Sequence, residues 1–214
     1  MDNRIALTAA LAVVLTASAC APASTTPPAA TPASSAPVSP NPVPSTSPAT
    51  ASAATGWELS PKGAADRIKA AGLQVLTAEG AAEHFHAHLD VFMDGKPVAV
   101  PADIGFSFNS AGQPNGISAL HSHDQSGVIH IEAPTSGATY TLGQFLAEWG
   151  VLDGTDKTQG TAHSDADGWT VAVNGTRQDG RITDVVLKAH DEIVLFHGTP
   201  PDPIPASFTF TGGL

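Results

Sequence analysis

The sequence predicts an α+β fold, a mixed sheet packed on one main helix with a shorter helix before it. Three observations carry this. His84 to Val91 alternate polar and apolar side chains, the period of a strand with one buried face. Leu142, Phe145, Leu146 and Trp149 recur three or four residues apart, the period of a helix with one apolar face. Asp94-Gly95 and Asn174-Gly175 each follow a strand-like run and have the composition of hairpin turns. Runs of strands interrupted by one long helix suit a sheet with one face on the helix and the other open.

Residues 1–19 read as a secretory signal peptide. Arg4 supplies a basic start, and the apolar run Ile5 to Ala17 is too short for a comfortable membrane span. The run ends in Ala17-Ser18-Ala19-Cys20, which contains the only cysteine. This resembles a bacterial lipoprotein signal. The resemblance implies that Cys20 is lipidated and that the protein is extracytoplasmic, anchored to the cell membrane. Residues 21–55 are almost all Pro, Ala, Ser and Thr and carry no charge. Such a segment cannot bury enough surface to offset chain entropy. Residues 20–56 are therefore expected to be a lipid anchor and a disordered stalk, which at ~3.1 Å per residue reaches roughly 100 Å when extended. A single globular domain over 57–214 remains. The net charge of −11 disfavours nucleic acid and anionic membrane surfaces as partners, which leaves the lipid as the route to the membrane. No protein partner is legible.

Within the domain, Ser60-Pro61 fits an N-cap and first helical position, Ala64 to Ala71 favours helix, and Gly72 ends it. The histidine strand runs to Met93 and returns through Asp94-Gly95 into Lys96 to Val100. Asn109 to Gly116 reads as a loop. Ile117 to His123 and Val128 to Ala133 are short strands joined by Asp124 to Gly127. Thr141 is a good N-cap for the main helix, and Gly150 closes it. A long polar loop covers 151–168. Trp169 to Val173 and Glu192 to His197 are the remaining strands, with Phe208 and Phe210 expected to pin the tail as an edge strand.

Six of the nine histidines fall in three alternating pieces: His84, His86 and His88; His121 and His123; and His130, followed by Glu132. Convergent imidazoles and carboxylates suit a divalent metal. Three histidines at i, i+2 and i+4 span ~13 Å, too far to share one ion easily. The expected geometry pairs His86 and His88 with His121 and His123, leaving His84 and His130 peripheral or in a second site. Asp90, Asp124 and Glu132 would then fix ring tautomers. Lipidation of Cys20 leaves no thiolate, and Met93 lies on the core face, so imidazole ligands point to a copper or zinc ion. His163 and His190 read as loop and turn residues, while His197 closes the last strand.

Three functions fit these residues. The first is buffering or delivery of copper or zinc by a lipid-anchored protein. The second is a metal-dependent enzyme with Glu132 or Asp124 as general base. The third is an interaction module on a stalk whose histidine face senses pH. No serine elbow or phosphate loop is present.

Two resemblances add to this. Trp169 to Gly175, followed by Leu187 to Leu195, resembles the end of ubiquitin-like β-grasp domains, which implies a β-grasp-like sheet. The spacing of His84 to His88, Leu120 to Asp124 and Gly127 to Glu132 resembles a group of uncharacterised exported bacterial proteins with H-x-H-x-H, L-H-x-H-D and G-x-I-H-I-E motifs. That likeness implies a shared fold and carries no activity.

Overall fold

A computed structural model describes residues 55–153 and 163–212. The expected signal peptide, Cys20, nearly all of the stalk, and part of the loop after the main helix lie outside the described residues. The chain runs α1 (Ala64–Ala70), β1 (Glu83–Met93), β2 (Lys96–Val98), β3 (Phe106–Phe108), β4 (Pro114–Ile117), β5 (Leu120–His121), β6 (Val128–Ala133), α2 (Leu142–Trp149), β7 (Trp169–Val173), β8 (Thr176–Arg177), a short 3-10 turn (Ile182–Asp184) and β9 (Glu192–His197). It is an α+β fold with a mixed sheet.

The sheet order is β5-β6-β1-β9-β7-β8, and β2 also pairs with β1. β1 is the organising strand. Its first half, Glu83 to His88, runs antiparallel to β6, and its last three residues turn back onto β2. Its other edge pairs in parallel with β9 from His88 onward. The two hairpins form as the sequence predicts. Asp94 and Gly95 have φ of 49° and 74°, and Asn174 and Gly175 have 50° and 76°. Positive φ at both central residues gives the turn whose twist matches the flanking strands.

The alternation in β1 has the expected consequence. Ala87, Leu89 and Val91 enter the core with Ile129, Ile131, Ile193 and Leu195, against Leu142, Phe145, Leu146 and Trp149 of α2. The Thr141 side chain accepts from the Gln144 amide, and the Gln144 side chain accepts from the Thr141 amide, closing a capping box. Gly150, at φ 84°, ends the helix.

Five expectations need correction. Ser60 does not cap α1, which starts after Gly63. The Arg67 guanidinium instead takes the Ser60 and Lys62 carbonyls, holding those residues in a turn. Asn109 to Gly116 is not all loop, because β3 and β4 pair into a separate two-stranded sheet. The run from Ile117 to His123 is not one strand: Ile117 ends β4, and Leu120 and His121 form β5. The second face of the large sheet is not open throughout. Ala172, Val194 and Phe196 form an apolar cluster there, packed with Phe92 and Ile204 of the tail. The tail lies over that face and adds no edge strand. Apolar residues on this face of β7 and β9 require cover, and Ile204 of the tail supplies it beside Phe92 of β1.

One core residue breaks the pattern. Glu148 of α2 is 2 % exposed, and neither carboxylate oxygen has a hydrogen-bond partner among the described residues. Burial pushes its pKa well above the usual carboxylate range, and the neighbouring Ser118 side chain and then the Arg67 charge offset only part of this. The unfolded chain ionises Glu148 near pH 4 while the folded one holds the proton, so stability is lost as pH rises above that point. Glu148→Gln removes this loss. We expect its melting temperature at pH 8 to exceed that of the wild type, with the gain shrinking at pH 4. Thermal denaturation at both values checks it, and a lower melting temperature at pH 8 would contradict it.

Candidate metal centre

Strand register builds the site. His86 of β1 lies opposite His130 of β6, and His130 lies opposite His121 of β5. Residues directly opposite point to the same face, so three imidazoles form one row across three strands. His84 stands opposite Glu132 in the next row. His123 follows two residues after His121, and its ring centroid lies 4.8 Å from that of His121 and 4.5 Å from that of His130.

The ligand atoms converge. His84 Nε2 is 3.2 Å from His86 Nε2 and 3.3 Å from Glu132 Oε1. Glu132 Oε1 is 3.4 Å from His130 Nδ1. Ligand atoms ~2.0–2.1 Å from a tetrahedral ion stand roughly 3.3–3.4 Å apart. These are therefore the separations that an ion between them requires. Two overlapping groups result, His84, His86, His130 and Glu132, and His121, His123, His130 and Glu132. In each, the ligand atoms lie within 4.8 Å of one another.

Two buried nitrogens decide what the cluster can do. His121 Nδ1 is 3.1 Å from the Ser118 carbonyl, which only accepts, so Nδ1 carries the hydrogen. The Nε2 lone pair then faces the cluster, buried and without a hydrogen-bond partner among the described residues, and His130 Nδ1 is likewise buried and makes no hydrogen bond among them. A histidine that donates one ring N–H to a carbonyl and offers the other nitrogen has the arrangement of a metal ligand. Unpaired buried acceptors are otherwise costly.

Electrostatics favour the ligating form. Burial, then the charges of neighbouring imidazoles, pushes His86 down to about 4, His130 to about 4 and His121 to about 3. All three are neutral at pH 7. His84 and His123 flank them with side chains 57 % and 43 % exposed, which gives an ion a route from solvent.

The other predicted residues fall elsewhere. His88 does not join His86, but pairs with Glu192 and lies under the tail. His130 is central rather than peripheral, and Glu132 sits among the ligand atoms rather than behind them. Asp124 is exposed and accepts from the Ser126 amide. His190 is a turn residue at φ 62°. His197 packs beside Trp169, away from the cluster. His163 stacks on Trp57, with centroids 4.1 Å apart. A cleft of about 920 Å³ is lined by Trp57, Met93 and Phe108 and holds none of the six histidines. Sequence reasoning missed Glu79, whose Oε1 lies 3.5 Å from His123 Nε2 and 3.9 Å from His121 Nε2. It belongs to an irregular stretch with no period to mark it.

No protein family, no curated protein and no solved structure matches the chain.

Proposed function

We propose that the domain binds copper or zinc through His84, His86, His121, His123, His130 and Glu132, and buffers or delivers that ion outside the cytoplasm. One observation carries the reading: His86, His130 and His121 share a row across three strands, and two of their buried nitrogens make no hydrogen bond among the described residues. Imidazoles with one carboxylate suit copper(II) and zinc. Export and anchoring rest on the signal-like N-terminus and Cys20. Membership of the exported bacterial group rests on the three histidine motifs. A β-grasp-like sheet is supported by the order β2-β1-β9-β7-β8, with β1 and β9 parallel at its centre.

Thermal denaturation tests the binding. An ion at 1,000 times its Kd stabilises the folded state by ~4.1 kcal/mol. Each kcal/mol raises the melting temperature of a domain this size by about 2–4 °C. A rise of roughly 8–16 °C with zinc or copper(II) at pH 7 is expected, and unchanged melting with both ions would count against the proposal. The anchor has its own test. Cys20→Ser should move the protein from the membrane fraction to the soluble fraction, or leave it unprocessed. Wild-type protein recovered entirely in the soluble fraction, beginning at Ala21 or later, would refute lipidation.

A further inference from the structure

β1 carries one more histidine on the face of the metal centre, and it stands apart from the other five. His88 lies opposite Glu192 of β9, and the two residues are 4 % and 1 % exposed. His88 Nε2 is 2.8 Å from the Ser126 carbonyl. A carbonyl only accepts, so Nε2 donates. Nδ1 points the other way, 2.8 Å from Glu192 Oε2. In a neutral ring this nitrogen is an acceptor, and so is a carboxylate. Two acceptors this close share a proton, which an ion bound here would displace. Gly127 lets the chain close over the ring. Its φ is +84°, and a Cβ there would lie 2.9 Å from His88 Nε2.

Asp90, two residues along the same face, completes a group of one nitrogen and two carboxylates with ligand atoms within 4.8 Å of one another. The second Glu192 oxygen, Oε1, is buried and makes no hydrogen bond of good geometry among the described residues. Burial raises the Glu192 pKa, and the Asp90 carboxylate beside it raises it further, as two like charges brought together do. A neutral imidazole and two carboxylates carry two negative charges. A divalent cation balances both, whereas the single proton shared by His88 and Glu192 leaves the charge of the half-buried Asp90 beside them uncompensated.

We propose that His88, Asp90 and Glu192 form a second cation site, separate from the imidazole-rich centre, for a divalent ion of mixed nitrogen and oxygen preference such as zinc. Its ligands are harder than those of the first centre, so the two sites rank metals differently. The tail roofs this site. Phe208 stacks on the His88 ring with centroids 3.8 Å apart and planes within 7°. An ion that fixes the ring fixes the surface on which the tail lies, and hydrogen exchange of residues 206–210 slows when the site is filled.

Zinc calorimetry at pH 7 on the full chain, in detergent and without a histidine tag, tests the site in three proteins: wild type, Glu192→Gln and His130→Ala. Glu192→Gln keeps the shape and removes one charge. It is expected to lose one class of zinc binding, or to weaken it at least roughly a hundredfold. It should keep the class that His130→Ala removes. Asp90→Asn, at the less buried carboxylate, gives the same loss if Glu192→Gln does not fold. Unchanged zinc stoichiometry and affinity in the folded carboxylate variants overturns the site. If His130→Ala then loses all zinc, the imidazole centre stands without it. If His130→Ala loses nothing while Glu192→Gln loses everything, the imidazole centre fails and this site stands.

Discussion

His130→Ala weakens copper(II) or zinc binding at the imidazole centre by at least roughly a hundredfold, the largest effect expected of any single substitution. The reason is positional. His130 is the middle of the three-strand row and belongs to both overlapping ligand groups. His84→Ala and His123→Ala each remove a half-exposed ligand from one group only, so their effects are smaller. His163→Ala, whose ring stacks on Trp57 outside the cluster, leaves the affinity unchanged. Calorimetry on the four variants gives the order. Equal and weak losses in all four would mean scattered surface imidazoles, and the interaction-module reading would take over.

Acid acts on the metal-free protein before it acts on the metal. An unperturbed histidine titrates near 6.5, which is where these residues protonate in the unfolded chain. Folded, His86 and His130 titrate at about 4 and His121 at about 3. Between those limits the unfolded chain holds more protons than the folded one, so stability falls as pH falls through that window. The full contribution is present above about 6.5 and gone below about 3. A pKa difference of one is worth ~1.4 kcal/mol, so the fully buried His121 alone contributes on the order of a few kcal/mol. The three contributions are not additive, because part of each depression is repulsion between the rings.

Metal binding follows a different curve. A proton competes with the ion only where the folded imidazole takes it up. Affinity at the buried nitrogens should therefore hold from pH 7 to near 5, where ordinary surface histidines would already be losing their metal. Urea melts of the metal-free protein and zinc titrations, both across pH 7 to 4, separate the two effects. In Glu148→Gln, which removes the opposing change from that carboxyl, a metal-free stability that does not change over that range would refute the depressed values. An affinity that falls steeply from 6.5 would show that the buried row does not hold the ion.

The sequence made some of this legible and concealed the rest for identifiable reasons. A period of two is local, so the faces of His84 to Val91 were readable, and the buried face formed from Ala87, Leu89 and Val91 as expected. The turns at Asp94-Gly95 and Asn174-Gly175 and the capping box at Thr141 were readable because their chemistry lies within four residues. Register is not local. Nothing near His130 says that it faces His86 on one side and His121 on the other, so the sequence reading set His130 at the edge of the site and His88 at its heart. Glu192 is a hundred residues from His88 in the chain and 2.8 Å from it in space. The covered second face was also out of reach, because Phe208 and Phe210 mark an apolar tail without saying which surface it meets.

Elemental analysis of the chain, purified without a histidine tag and dialysed at pH 7 against micromolar zinc and copper(II) and then against buffer, tests the central claim most directly. At least one equivalent of copper or zinc per chain is expected to be retained, and His130→Ala is expected to lose the ion held by the imidazole centre. Wild-type protein that is folded and emerges from the second dialysis free of both metals would contradict it.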